Sequence, residues 1–239
     1  MKLRGIAMAA ALVALDATSQ AAFAGPAAYS WTGGYFGGQL GYGWSSVATG
    51  ETNVYNDPSG SPDGTLDPFS YSGTGIIGGG EVGYNWQSGP MVLGVVGDFS
   101  GANIQGSYTD PDNAFTAEST INWLTTARLN VGVPLGSMLL YGTGGVAIGA
   151  ISSSLHDYYD GGDTVITNNA YNTKVGWTLG AGIAAPLGSH WFVKTEYLYV
   201  DLGTQNFNFS EPDPPGWALI TSSSHTTANI LRASLDYRF

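Results

Sequence analysis

Apolar and polar side chains alternate along eight segments of the chain. In the first segment, Leu40, Tyr42 and Trp44 share one parity, while Gln39 and several glycines share the other. A period of two predicts a β-strand with one apolar face. Each segment has about the 9–11 residues that a tilted transmembrane strand requires. The eight segments are 35–44, 76–86, 91–100, 121–133, 138–150, 173–185, 191–202 and 226–239.

The connections between these segments alternate in length. Three are tight turns at 87–90, 134–137 and 186–190, and four are long and polar, at 46–74, 101–119, 152–172 and 203–225. Short turns on one side and long loops on the other are typical of an outer-membrane barrel, whereas a soluble β-sandwich needs no such alternation. We therefore predict an all-β fold, an eight-stranded antiparallel up-and-down transmembrane β-barrel with short periplasmic turns and four long extracellular loops.

Aromatic side chains stand near the ends of the predicted strands, on the apolar parity. Trp44, Trp86, Trp191 and Phe239 hold such positions. Tryptophan and tyrosine favour the level where hydrocarbon meets headgroups. We expect Trp44, Trp86 and Trp191 to belong to the interfacial girdles.

The N-terminus has the pattern of an export signal. Lys2 and Arg4 precede an apolar run at 5–15, and Ala22-Phe23-Ala24 is an A-x-A cleavage pattern. The run has about 11 residues, too short for the ~20 of a spanning helix. We expect a cleavable signal peptide at 1–24, one barrel domain at 25–239, and export to the outer membrane of a Gram-negative cell.

Composition narrows the chemistry further. Of 239 residues 36 are glycine, 13% are aromatic and only 10% are charged, which suits a surface in hydrocarbon. The chain has no cysteine, so thiol nucleophiles and Cys-based metal sites are excluded. The net charge of −11 argues against nucleic acid as a partner, because that partner needs a basic surface.

The charged residues of the predicted strands share the inward parity. After residue 24 the Lys and Arg residues are Arg128, Lys174, Lys194, Arg232 and Arg238, and all five are inward. An interior this narrow is filled by side chains, so these charges should pair or meet water. A structural polar core and a gated narrow passage for ions or small solutes both remain open. The predicted lumenal charge cluster is Glu81, Asp98, Arg128, Lys194, Glu196, Arg232, Asp236 and Arg238.

The predicted loops are acidic and contain no Lys or Arg. Such a face repels polyanions and attracts divalent cations, although acids also simply keep loops solvated. The stretch 157–163 has the composition of a calcium loop but lacks the full ligand spacing and the closing Glu, so we assign no metal site. The loop acids are Glu51, Asp57, Asp63, Asp67, Asp110, Asp112, Glu118, Asp157, Asp160, Asp163, Glu211 and Asp213.

Catalytic patterns are weak. The histidines are His156, His190 and His225; the last follows Ser222, Ser223 and Ser224, but the sequence assigns no third orienting group to it. The glycine runs lie in strands rather than before helices, so they are not phosphate loops. We predict no enzyme activity and no cofactor.

The strand motifs together resemble a known family, the small outer-membrane immunogenic or porin-like proteins of alphaproteobacteria, the RopB-like group. The likeness covers essentially all the strands and not the loops. Val96 departs from the family pattern, which often has an acid there. The resemblance rests on 31–38, 83–87, 93–99, 141–147, 176–182, 194–203 and 236–239.

The resemblance implies an abundant surface protein with structural and antigenic roles, and with host contact as a further option. The C-terminal Leu235, Tyr237 and Phe239, with Leu231 and Ala233, look like the terminal-strand signal that the barrel-assembly machinery reads. Expected partners are outer-membrane lipid and lipopolysaccharide, with periplasmic chaperones and that machinery during biogenesis.

The function that we expect is a non-enzymatic surface barrel that contributes to envelope integrity and exposes acidic loops. The alternatives are a narrow porin-like channel and a loop-mediated adhesin or ligand binder.

Overall fold

The computed structural model describes residues 29–50, 52–55, 64–66, 68–109, 115–159, 164–210 and 219–239. The predicted signal peptide at 1–24 lies outside these residues. Among them no helix is long and apolar enough to cross a membrane. The strands are β1 Gly33–Thr49, β2 Thr52–Tyr55, β3 Gly64–Leu66, β4 Ser70–Ser88, β5 Met91–Thr109, β6 Phe115–Leu135, β7 Met138–Tyr159, β8 Thr164–Pro186, β9 Trp191–Ser210 and β10 Leu219–Arg238.

Eight long strands close into an antiparallel barrel, as the alternating pattern predicted. The neighbours run β1-β4-β5-β6-β7-β8-β9-β10, and β10 pairs back onto β1. The closing ladder extends from Tyr35↔Arg238 to Thr49↔Ser224. Closure leaves the membrane-spanning wall without a free edge, so the backbone groups of that wall are satisfied inside the barrel. The short β2 and β3 form a hairpin, and β2 pairs with the outer end of β10 at 219–221.

The strands are longer than predicted. Residues 101–109 and 115–119, assigned to a loop from the sequence, continue the β5–β6 ladder up to Thr109↔Thr116. Likewise β7 and β8 stay paired up to Tyr159↔Thr164. The apolar alternation marks only the part of a strand that faces hydrocarbon, whereas the backbone ladder needs no apolar face and continues through Ser, Thr and Asn.

The three tight turns fall where they were predicted, and each contains a glycine in the left-handed region. Gly89, Gly136 and Gly188 have φ of 57°, 65° and 101°. Such backbone angles cost a side chain energy, which glycine avoids. These turns place the start of one strand beside the end of the previous one and so fix the register of three hairpins.

The outer wall is apolar at the positions the period assigned to it. Leu40, Ile76, Leu129 and Val175 are each at least 64% exposed. Besides the predicted charges, inward positions hold two apolar clusters that the sequence analysis did not predict. An eight-stranded barrel is filled by side chains rather than water, so inward positions far from a charge gain by being apolar.

Candidate functional site

Four charged side chains from four strands meet in the middle of the barrel. Arg128 on β6 contacts Asp98 at 3.0 Å and Glu196 at 2.8 Å. Arg232 on β10 contacts Glu196 at 2.6 Å and Asp98 at 3.2 Å. The four side chains are at most 6% exposed. Two cations and two anions balance, so this central quartet brings no net charge into the interior.

Polar neighbours complete the hydrogen bonds of the quartet. Thr126 donates to Asp98 at 2.5 Å and accepts from Arg128 Nε at 2.8 Å. Thr143 accepts from Arg128 Nη1 at 3.2 Å, and the Tyr141 hydroxyl donates to Glu196 at 3.1 Å. Desolvation makes a buried ion pair costly unless its remaining donors and acceptors are satisfied. These bonds meet that condition and hold the guanidinium planes in one orientation.

A second group lies between the quartet and the tight turns. Lys194 Nζ is 2.6 Å from Glu81 Oε1 and 3.5 Å from Asp236 Oδ2. Ser234 donates to Asp236 at 2.8 Å, and Lys194 Nζ lies 4.7 Å from the centre of the Tyr35 ring. Two carboxylates thus share one ammonium. We name the side chains of Glu81, Lys194 and Asp236 the lower triad, because they lie on the tight-turn side of the quartet.

The predicted cluster of eight residues is therefore divided. Seven of its members fall into the central quartet and the lower triad, and Arg238 lies apart. Arg238 donates to the Ser189 carbonyl at 2.9 Å, and its guanidinium lies 4.3 Å from the centre of the Tyr29 ring. Parity alone placed it inward, but its position at the last residue of β10 puts it at the turn end, beyond reach of the other charges.

An apolar cluster closes the turn side of the interior. Trp31 precedes β1 and is 1% exposed inside the barrel, where its ring meets Phe192 edge-on. Its backbone N–H donates to the Gln87 side chain at 2.9 Å, which ties this segment to the end of β4. The cluster contains Trp31, Tyr35, Val92, Val96, Leu139, Tyr141, Ala184 and Phe192.

The space beside this cluster is small. A cavity lined by Trp31, Asn130, Tyr141 and Lys194 has about 10 Å³ for water centres. That volume holds about one water molecule. On the other side of the quartet a second apolar cluster fills the interior with Ile77, Ile104, Ile121, Leu124, Ala147, Ile151, Leu198, Val200, Leu202, Ala228 and Ile230.

Glycines opposite the large inward side chains make this packing fit. A Cβ at Gly182 would lie 2.5 Å from the Tyr141 ring, and one at Gly41 would lie 2.6 Å from Arg232 Cβ. Tyr141 and Tyr35 were not among the predicted site residues. Their signal was available in retrospect, because each is inward by parity and faces a glycine on the neighbouring strand.

The turn end of the outer wall is aromatic. Trp86 and Trp191 are exposed there, and Trp191 packs edge-on against Tyr237 at 5.2 Å. Phe239 donates its N–H to the Gly34 carbonyl at 3.2 Å, and its ring lies 6.5 Å from Phe36.

Leu235 and Trp44 also lie on this outer wall. Leu235 faces outward on β10. Trp44 is likewise outward, nearer the outer end of β1, and its ring lies 5.4 Å from Tyr42. With Tyr237 and Phe239, the predicted assembly signal therefore lies along the outer face of the seam between β10 and β1.

His225 has neighbours that the sequence could not assign. Its Nε2 is 3.4 Å from Asp201 Oδ1, and its Nδ1 is 3.2 Å from Thr204 Oγ1. Asp201 also accepts from the Gly203 N–H at 2.8 Å. A carboxylate, an imidazole and a hydroxyl are the groups of a catalytic triad, in which neighbouring groups typically lie 2.6–3.2 Å apart. The contact of the His225 ring with Asp201 is longer than this, and its contact with Thr204 is at the upper limit.

Most predicted loop acids lie outside the described residues or have side chains outside them. Glu118 is described, and it accepts from Ser154 at 3.4 Å across the β6–β7 ladder. It therefore stands on a strand extension rather than in a loop.

The chain matches the family model of the outer membrane protein beta-barrel domain over residues 7–239. It is 34% identical over 183 residues to the 31 kDa outer-membrane immunogenic protein of Brucella melitensis, which covers 74% of each chain. It is 28% identical over 217 residues to the 25 kDa outer-membrane immunogenic protein of Brucella abortus, covering 88% of this chain and 80% of that one.

Two further comparisons agree with these. The 22 kDa outer membrane protein of Rhizobium leguminosarum is 29% identical over 122 residues, covering 51% of this chain and 50% of that one. The outer membrane protein OprG from Pseudomonas aeruginosa has the same fold, with a TM-score of 0.52 at 15% identity, over 89% of this chain and 99% of that one. The resemblance inferred from the strand motifs is confirmed, and the chain belongs to the outer membrane protein beta-barrel domain family and resides in the outer membrane.

Proposed function

We propose that the protein is a closed, non-enzymatic scaffold of the outer membrane that stabilises the envelope and displays acidic loops at the cell surface. The observation that carries this proposal is the filled interior. The central quartet lies between two apolar clusters. The cavity beside the cluster that contains Trp31 has a volume of about 10 Å³, enough for about one water molecule. A barrel packed in this way offers its wall and its outer strand extensions, rather than a passage, to the cell.

The outer extensions support the second half of the proposal. The β7–β8 and β9–β10 hairpins continue as paired ladders to Tyr159↔Thr164 and Ser210↔Leu219, well beyond the apolar belt. Paired strands of this kind hold loop tips away from the membrane at low entropic cost. Immunogenic relatives from Brucella are consistent with surface display, and the adhesin or ligand-binding alternative would use the same tips.

Surface display is tested with one epitope tag at two matched positions. We expect a tag between Gly161 and Gly162 to bind antibody on intact cells, because this insertion point is in the segment that joins the outer ends of β7 and β8. The same tag between Gly89 and Pro90, in a tight turn, should bind only after permeabilisation. Equal access at both positions would contradict the proposed display.

The envelope role is tested by deleting the gene and measuring the uptake of a hydrophobic dye. We expect uptake to rise on deletion and to return to normal with the wild type. His225→Gln should restore the barrier as well as the wild type does, because the scaffold performs no reaction. Unchanged uptake on deletion would contradict the envelope role, and a failure of His225→Gln with normal barrel levels would contradict the non-enzymatic one.

A further inference from the structure

The segment before β1 leaves the barrel wall and enters the interior. β1 pairs with β4 from Gly33↔Asn85 onwards, and residues 29–32 precede that ladder. Gly33 has a φ of 144°, a backbone angle that other residues rarely adopt, so the chain can change direction there. Trp31, two residues before this glycine, is 1% exposed. We name residues 29–32 the entry segment.

Trp31 lies at the level of the tight turns. Its cluster neighbours Val92, Leu139 and Phe192 are each the second residue of a strand that follows a tight turn. Ala184 is the third residue from the end of β8, just before the turn that leads to Phe192. All the other members of this cluster lie on strands. Trp31 therefore fills the turn-side mouth of the barrel from a segment that is not part of the wall.

Few bonds hold the entry segment in this place. The Trp31 N–H donates to Gln87 Oε1 at 2.9 Å, and the Gln87 N–H donates to Thr32 Oγ1 at 2.9 Å. Both bonds use a side-chain oxygen where a ladder would use a backbone carbonyl. The Arg238 guanidinium lies 4.3 Å from the centre of the Tyr29 ring. Trp31 Nε1 has no hydrogen-bond partner among the described residues, so packing alone holds the indole.

This attachment is weaker than that of a strand. Each strand of the wall is paired on both sides, so its opening breaks two ladders. Opening of the entry segment breaks two hydrogen bonds and exposes two rings, and segments with few backbone hydrogen bonds open at a lower free energy than the whole fold. A rotation at Gly33 moves residues 29–32 without breaking the closing ladder, which begins at Tyr35↔Arg238.

The space behind Trp31 ends at charged groups. The cavity there is lined by Asn130, Tyr141 and Lys194. Withdrawal of Trp31 adds the volume of the indole to this cavity and gives water access to the Lys194 ammonium. The central quartet lies beyond, and its side chains are at most 6% exposed. Water that enters from the turn side therefore stops at the quartet.

We propose that the entry segment is a plug that opens at Gly33 while the barrel stays folded, so that water and small solutes reach Lys194 from the tight-turn side. The open state is a blind vestibule, closed at its far end by the quartet and the second apolar cluster. This proposal rests on the closed scaffold proposed above for that far barrier.

The test is thiol labelling, which suits this chain because it has no cysteine of its own. Ala184→Cys lies beside Trp31, and Ala147→Cys is the matched control in the second apolar cluster, beyond the quartet. These alanines are 1% and 0% exposed. A charged methanethiosulfonate reagent is added to the refolded barrel, residues 25–239, in detergent. Its labelling rate is compared with that of the urea-unfolded protein, with heat modifiability as proof of folding.

We expect Ala184→Cys to react in the folded wild-type background and Ala147→Cys to stay protected. Gln87→Ala removes the acceptor of the Trp31 N–H, so Ala184→Cys should react about fivefold faster, which corresponds to about 1 kcal/mol. Trp31→Ala should raise that rate at least about a hundredfold, because it removes the packing that holds the segment. Trp31→Phe keeps a packed ring and should leave the rate close to that of the wild type. None of these changes should alter the labelling of Ala147→Cys.

Three results would overturn the proposal. An unchanged rate for Ala184→Cys in both Gln87→Ala and Trp31→Ala would show that the entry segment does not cover this space. Equally slow labelling of Ala184→Cys and Ala147→Cys, rising together in the variants, would assign access to unfolding of the whole barrel. Rapid labelling of Ala147→Cys in the folded wild-type background would contradict the closed scaffold itself, and with it the blind vestibule.

Discussion

At the scale of residues, the stability of the central quartet depends on the electrostatic pairing between its members. Arg128, Arg232, Asp98 and Glu196 are almost wholly removed from solvent. Each is tolerated because its partners neutralise it, so the loss of one partner leaves a buried charge without compensation. The quartet joins β5, β6, β9 and β10 across the interior and therefore resists changes in their relative positions.

We predict that Arg232→Ala lowers the free energy of unfolding by about 3–5 kcal/mol, because it leaves Asp98 and Glu196 with one guanidinium between them. Urea unfolding of the barrel refolded into lipid vesicles measures this change. Arg238→Ala is the matched control, since its contacts at the turn end should contribute about 1 kcal/mol or less. Equal losses in the two variants would show that the quartet has no special role.

The sequence allowed part of this arrangement to be predicted. Parity showed correctly that Arg128, Lys194 and Arg232 point inward, because a period of two assigns each side chain to a face. It could not separate the quartet from the lower triad, because partners across the interior depend on the tilt and stagger of strands that are distant in sequence. Thus the pairing of Lys194 with Glu81 follows from closure of the barrel rather than from any local pattern.

At the scale of elements, the seam between β1 and β10 closes the barrel. The Phe239 N–H donates to the Gly34 carbonyl. A Cβ at Gly34 would lie only 2.7 Å from the Phe239 ring, so the ring packs directly on this glycine. Phe239 also ends the run that looks like an assembly signal. The contact that closes the seam and the predicted recognition by the assembly machinery thus fall on the same residue, Phe239.

We predict that deletion of Phe239 reduces the amount of heat-modifiable barrel in the outer membrane of cells, because the assembly machinery would lose its terminal contact. The purified variant should nevertheless refold in detergent, since the remaining closing ladder from Arg238 to Ser224 is intact. Undiminished barrel in cells would contradict the recognition role. A variant that also failed to refold in detergent would assign Phe239 to the seam alone.

The strand lengths show where the sequence stopped being informative. The start of β5 at Met91 and of β7 at Met138 agreed with the prediction, because tight turns with glycine mark them. The outer ends did not, since residues 101–109 and 164–172 carry few apolar side chains and still form ladders. The end of the β8–β9 ladder at Trp177↔Asp201 was not predicted either.

At the scale of the whole molecule, the interior is organised in layers. An apolar cluster that includes Trp31 lies at the turn side, charged groups lie in the middle, and a second apolar cluster lies at the outer side. Apolar side chains on both sides of the charges exclude water and strengthen the ion pairs, which in turn fix the strands. The sequence left the polar core and the narrow passage open, because it showed the inward charges but not the apolar residues that enclose them.

The most direct test of this account is the ion conductance of the refolded barrel, residues 25–239, in a planar bilayer, with heat modifiability as proof of folding. We expect the wild type to produce no steady channel steps, because both apolar clusters block the path that the charges would line. Glu196→Gln should be equally silent. Steady steps in the wild type, with an ion selectivity that changes in Glu196→Gln, would contradict the closed scaffold and make the protein a pore with the central quartet as its filter.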